Sequence, residues 1–342
     1  MERRSRASLV ALGGFIVVVV IFLGCIEEEP KITKINMGYQ PSTHQLAAMV
    51  AAEKGWGERP LRTYGIEDVE LRLFPSGPPE MTAMIAGDLD IAYVGAAPPI
   101  AAMYEGLDAK IVAGVNVAGS AIAVRPELVE AYERDGVGSL KGKTIATYPP
   151  GSIQYTILSQ WLLDNTIDPA KDVDIKAMAP SDAVSALGAK SVDAVFLPSP
   201  HPEIIEAEGT GKIVKWSGEI WPNHACCCLV ASEKMIREHP DIVTQLIKTH
   251  INATTYINEH PDEAAEIFAK WQGGDVATIK QSIKISDSRW IHDPHLQIES
   301  SLTYALDIYK LNRERYEAKG IKPLTEDDIF DTSFYDKITG YK

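Results

Sequence analysis

The stretch Asp90-Ile91-Ala92-Tyr93-Val94, followed directly by Gly95-Ala96-Ala97-Pro98-Pro99, reads as a buried strand that runs through a turn into a helix. A short unbroken apolar run suits a strand covered on both faces. Prolines suit the first turn of a helix, where their missing N–H would be unpaired in any case. The same junction recurs on both sides. Gly38-Tyr39-Gln40-Pro41-Ser42-Thr43-His44, Pro75-Ser76-Gly77-Pro78-Pro79-Glu80, Pro149-Pro150-Gly151-Ser152-Ile153-Gln154 and Pro198-Ser199-Pro200-His201-Pro202 each end a strand pattern and open a helix. Such alternation predicts an α/β fold with mostly parallel sheets, in which the loops at the carboxyl ends of the strands surround a ligand crevice.

Working outward, apolar runs predict strands at 33–37, 69–74, 90–94, 111–116, 120–124, 144–147, 174–177, 194–197, 213–215 and 226–231. Helical spacing joins Leu46, Met49 and Val50, then Met81, Met84 and Ile85, then Ile157, Leu158, Trp161 and Leu162. After about residue 232 the chain reads as almost wholly helical, with helices at 241–260, 261–272, 276–283 and 296–319. No short sequence repeat and no Ser/Gly linker separates two halves.

The junction loops are short of formal positive charge. No Lys or Arg occurs in 35–53, 73–109, 144–170 or 191–211. A solute bound there must be held by backbone N–H groups, helix N-termini, hydroxyls, amides and imidazoles. Helix starts supply free donors and partial positive charge, so they can receive an oxyanion without a countercharge. The same lining suits a neutral polar ligand, and each junction taken alone also reads as an ordinary helix cap.

The 342 residues carry 33 basic and 47 acidic side chains, a net charge of −14, with 45% hydrophobic and 23% charged residues. That composition excludes disorder and a multi-span membrane protein. The acidity argues against nucleic acid as a partner, because binders of phosphate backbones carry a basic stripe. Acidic runs such as 233–238 and 262–266 fall on helical faces and read as solvated.

Arg3, Arg4 and Arg6 precede an uncharged run at 9–26, a basic flank and apolar core of the kind that directs export. The run ends Phe22-Leu23-Gly24-Cys25, which resembles a lipobox with Cys25 as the lipidated first residue of the mature chain. Residues 1–24 are then a signal peptide and 25–31 a tether. An uncleaved anchor is the alternative; both place the rest of the chain outside the cytoplasm and at the membrane. Cleavage removes three arginines and one glutamate and so deepens the negative charge. The remaining cysteines, Cys226, Cys227 and Cys228, stand in a row with no distant partner, so an exported chain of this size must rely on its core.

In order, Gly38-Tyr39-Gln40-Pro41-Ser42-Thr43-His44, Pro75-Ser76-Gly77, 86–95 (AGDLDIAYVG), 140–146 (LKGKTIA) with Pro150-Gly151-Ser152, and the tail 328–334 (DIFDTSF) resemble the nitrate/sulfonate/taurine group of ABC-transporter solute-binding proteins. The resemblance spans nearly the whole exported chain. It implies a type II periplasmic-binding-protein fold: two α/β lobes, 32–122 plus 230–342 and 123–229, with a cleft between them and a two-segment hinge near 120–124 and 228–232. It also implies a monomeric receptor for an ABC permease and ATPase, binding a small polar or anionic solute by hinge closure, with no cofactor and no catalysis. Carried over residue by residue, the binding positions are Gln40, Ser42, Thr43, His44, Ser76, Gly77, Gly95 and Ala96 through their N–H groups, Asn116, and Ser152, Ile153 and Gln154. At Pro198-Ser199-Pro200-His201 the chain departs from the aromatic-acid-proline pattern of many relatives, which leaves the ligand open; His201 and His224 join the expected lining.

Histidines and cysteines support a second reading. His44, His201 and His224 lie in loops that the fold could bring to one cleft, where they could hold a transition metal. No His-x-x-x-His or Cys-x-x-Cys accompanies them. Strand alternation predicts Cys226 and Cys228 on one face and Cys227 on the other. A Cys-rich segment beside a histidine also resembles the thiamine-pyrimidine synthases built on this fold, but those need a lysine for pyridoxal phosphate, and the cleft loops contain none. Trp216, Trp221 and Tyr39 lie near loops or strand ends and could stack on an organic ligand.

Overall fold

The computed structural model describes residues 32–341. The expected export signal, Cys25 and the tether lie outside the described residues. Among the described residues, no helix is long and apolar enough to cross a membrane.

All ten predicted strands form, with ends moved by at most two residues. They are β1 (Lys34–Tyr39), β2 (Asp68–Leu73), β3 (Ile91–Gly95), β4 (Ala109–Val117), β5 (Ser120–Val124), β6 (Thr144–Thr147), β7 (Asp174–Ala177), β8 (Ala194–Pro198), β9 (Lys212–Trp216) and β10 (Ala225–Ser232). A two-residue strand, β11 (Arg289–Trp290), was too short to leave a periodic signal. The strands form two sheets, ordered β11-β4-β10-β3-β1-β2 and β7-β6-β8-β5-β9.

Within each sheet three adjacent strands pair in parallel, β2-β1-β3 in one and β7-β6-β8 in the other. The expectation of mostly parallel sheets is corrected here, because both sheets are mixed. In each, the strand next to a crossing, β10 in the first and β5 in the second, runs antiparallel to both neighbours. The two sheets therefore share one strand order although the sequence shows no repeat.

The chain leaves the first sheet after Val117 and enters the second at Ser120, so the first crossing is Ala118-Gly119. It returns between Trp216 and Ala225. Both crossings lie N-terminal to the expected 120–124 and 228–232, which are sheet strands and not connectors. Asp287 holds the two crossings together: its Oδ1 accepts the Gly119 N–H at 2.7 Å and its Oδ2 the Gly218 N–H at 2.6 Å. Gly119 is required on two grounds. Its φ is +90°, and a Cβ there would stand 2.5 Å from His44 Nε2.

Helices form where apolar spacing and capping agree. The helix Ile153–Asp164 begins at Ser152, whose Oγ accepts the Tyr155 N–H, and buries Ile157, Leu158 and Leu162. The expected helix at 296–319 is two, Ile298–Leu311 and Arg313–Ala318, broken at Asn312, which leaves helical geometry (φ −116°, ψ 18°). One apolar cluster runs from β1, β3, β4 and β10 into the second sheet through Ile122, Val124, Ile145 and Phe196. The alternate residues Ala123, Ala146, Val195 and Leu197 face the opposite side, against Ala183, Leu187 and Ile205. That split is the period-two alternation of a strand.

Candidate functional site: a closed cleft between two sheets

The loops after β1 and β8 meet directly. Thr43 donates twice to the Ser199 carbonyl, from its N–H and from Oγ1, both at 3.0 Å. Trp290 Nε1 donates to the Thr43 carbonyl at 2.9 Å and holds that loop from behind. A Cβ on Gly95 would stand 3.0 Å from Ile153 Cγ1, so the end of β3 also touches the opposite helix start. The cleft is closed.

The expected binding residues converge on this seam but do not all offer a free group. Gln40, Ser42, Thr43, His44, Ser76, Asn116, Ser152, Ile153, Gln154 and His224 are buried, and Gly77, Gly95 and Ala96 lie among them. Asn116 is occupied: Nδ2 donates to the Ala118 carbonyl and Ser288 Oγ, and Oδ1 accepts the Cys227 N–H. The Ala96 N–H donates to the Cys226 carbonyl at 2.8 Å, so it is not available to a ligand. Pro78 and Pro79 remove two donors from the first turn of helix Gly77–Ile85. The opposite helix start is better supplied. No acceptor among the described residues takes the Ile153 or Gln154 N–H, and Gln154 Nε2 reaches Ser120 Oγ at 3.1 Å.

Residues that sequence reasoning missed contribute polar atoms without partners. Glu80 is fully buried; its Oε2 accepts from Gln40 Nε2 at 2.7 Å while Oε1 has no partner. Gly38 makes room for it, since a Cβ there would lie 2.5 Å from that oxygen. The Tyr148 hydroxyl, at the end of β6, is buried and unpartnered, as is Glu203 Oε2; Glu203 Oε1 accepts from Ser199 Oγ at 2.6 Å. Burial raises the Glu80 carboxyl well above its ordinary 4.5, against the Gln40 hydrogen bond. Burial lifts Glu203 to about 7, with the Ser199 bond opposing. In both side chains burial favours the neutral, protonated form over the carboxylate. In sequence Glu80 is indistinguishable from an acid that complements a helix N-terminus.

His44 donates from Nε2 to the Gly119 carbonyl at 2.7 Å, and its Nδ1 accepts from Cys226 Sγ at 3.2 Å. Among the described residues, the alternative metal set His44, His201 and His224 does not gather into one cluster. His201 Nδ1 donates to the Pro198 carbonyl and His224 Nδ1 to the Ala225 carbonyl. Burial lowers both imidazoles to about 4, with their backbone hydrogen bonds opposing. Instead His44 gathers with Cys226 and Cys227. The expected alternation fails because β10 carries a bulge: Ala225 faces Val117 and Cys227 faces Asn116, so Cys226 is an extra residue and both thiols turn toward His44. Trp221 and Tyr39 are engaged within the protein, Trp221 against Tyr304 and Tyr39 against Trp271.

Comparison with known proteins agrees with this geometry. The chain is 29% identical over 340 residues to a Bacillus subtilis (strain 168) protein named "Putative aliphatic sulfonates-binding protein", covering 95% of this chain and 96% of that one. Its fold is similar to that of the periplasmic nitrate-binding protein NrtA from Synechocystis PCC 6803, with a TM-score of 0.73 at 16% identity over 91% of this chain and 89% of that one. It is also similar to the alkanesulfonate-binding protein SsuA from Xanthomonas axonopodis pv. citri, bound to MOPS, with a TM-score of 0.70 at 19% identity over 83% and 95%. The NMT1-like family model matches residues 28–272. With two mixed sheets of one strand order closed on a polar seam, and that match over most of its length, the chain belongs to the NMT1-like family.

Proposed function

We propose that this chain is the extracytoplasmic solute-binding receptor of an ABC importer, and not an enzyme. It captures a small polar or anionic solute, of the sulfonate, taurine or nitrate kind, by closing its two lobes. One observation carries the reading: the Tyr148 hydroxyl and Glu80 Oε1 are buried without partners at a seam that the two lobes close across. Native proteins seldom leave buried polar atoms unpaired, so these groups await a ligand. The donors are neutral: a tyrosine hydroxyl, a protonated carboxyl and the free N–H groups of Ile153 and Gln154. An oxyanion can be held by such groups without Lys or Arg. The names of the sulfonate- and nitrate-binding relatives point the same way.

The solute contacts both lobes only when they are closed, and so shifts the population toward the form that a permease would read. With the hinge at the two crossing segments, 118–119 and 217–224, lobe 1 is 32–117 plus 225–341 and lobe 2 is 120–216. Partners are a permease and an ATPase; the receptor works as a monomer held at the outer face of the membrane through a lipid on Cys25. A panel of nitrate, taurine and alkanesulfonates tests the proposal. The cognate solute at a hundredfold over its Kd should stabilise the protein by about 2.7 kcal/mol and reduce its radius of gyration in solution scattering. Failure of every anion to do either would overturn the assignment of solute class.

A further inference from the structure

We infer that the buried cluster of His44, Cys226 and Cys227 on the hinge side of the cleft is a binding site for one divalent, thiophilic metal ion of the zinc class. The inference goes beyond the receptor reading and does not depend on it.

One imidazole nitrogen and two sulfurs lie within 4.8 Å of one another, all from buried residues. Zinc bonds of about 2.3 Å to sulfur and 2.0–2.1 Å to nitrogen place one nitrogen and two sulfurs roughly 3.5–3.8 Å apart in a tetrahedron, so small side-chain shifts suffice. Two further features favour metal over packing. First, the bulge in β10 aims adjacent cysteines at one point, which regular alternation forbids. Second, His44 donates its Nε2 hydrogen to the Gly119 carbonyl, which fixes the tautomer and leaves the Nδ1 lone pair facing the sulfurs. An outer hydrogen bond of this kind is what orients a metal-ligating histidine. None of the three cysteines of β10 is in a disulfide.

Charge selects the ion. Two thiolates and a neutral imidazole cancel a double positive charge, so the loaded cluster stays neutral in a dry site. Binding displaces both thiol protons to solvent, including the one that Cys226 shares with Nδ1. Sulfur donors select soft ions over magnesium or calcium. Among the described residues no fourth His, Cys, Asp or Glu joins the cluster, so the fourth tetrahedral position is left for water or a solute oxygen.

The test uses the full chain, reduced and stripped with chelator. Cadmium titration should give a thiolate-to-metal charge-transfer band that saturates at one ion per chain, and zinc should compete for the same site. Cys226→Ser and Cys227→Ser should each weaken the band, and together abolish it, while Cys228→Ser leaves it intact. His44→Ala should cost more than the about 10–100-fold typical of losing an outer-shell contact. Should a substitution unfold the chain, X-ray absorption of the zinc-loaded wild type decides: two sulfurs and one nitrogen support the site. No saturable band, a band that survives both serine substitutions, or sulfur-free coordination would overturn it. Sulfonate stabilisation of the chelator-treated chain is read separately, so a silent anion panel with a normal cadmium band counts against the receptor assignment alone.

Discussion

Two carboxyls, Glu80 and Glu203, are buried in first helical turns beside the cleft. Glu203 titrates at about 7 against an ordinary 4.5, with Ser199, His44 and Asp287 as its polar surroundings. As pH rises from 4.5 to 7 the unfolded chain ionises this residue while the folded one keeps its proton, so its contribution to stability is lost over that window. The total is about 3 kcal/mol. Urea denaturation should therefore show wild type losing stability relative to Glu203→Gln between those pH values; parallel profiles would refute the assignment. His201 and His224, both lowered to about 4, act in the opposite sense below their ordinary 6.5, but they are common to both proteins and cancel in the comparison. The lack of Lys and Arg in these loops was legible in the sequence. Which acids are buried was not, because Glu80 and Glu203 sit in first helical turns, where exposed acids are equally at home.

Among the elements, strands and helices were legible almost throughout, since apolar period and capping residues act over a few positions. The helix Ile153–Asp164 shows the link to function. Ser152 Oγ takes the Tyr155 N–H at 3.3 Å and thereby fixes the turn that presents the Ile153 and Gln154 N–H groups. Ser152→Ala should cost about 1 kcal/mol in urea denaturation. It should weaken solute binding as well; unchanged affinity in calorimetry would separate this helix start from the binding site. What local pattern could not show was the bulge in β10. A bulge is a mismatch between two strands, and its partner here is Asn116, far from Cys226 in sequence.

For the molecule as a whole, the proposed receptor closes its lobes across the seam where Thr43 meets Ser199. Thr43→Val removes the Oγ1 hydrogen bond to the Ser199 carbonyl but leaves the backbone bond and the side-chain shape. Loss of one such bond, about 1 kcal/mol, should weaken solute binding about fivefold. It should also raise the radius of gyration at partial saturation, with thermal stability of the free protein nearly unchanged. Equal affinity of variant and wild type would show that this contact plays no part in closure. The sequence by itself determined the strand and helix inventory, the polar, cation-poor loops and the family resemblance, because these rest on contacts between near neighbours in the chain. Only the tertiary structure decided that the sheets are mixed, where the chain crosses between them, and that His44 meets two cysteines and not two histidines. The decisive pairs are remote: Thr43 and Ser199 are 156 residues apart, and His44 and Cys226 are 182. Burial, which sets the charge state of Glu80 and the aim of each thiol, belongs to the packed chain and has no local signal.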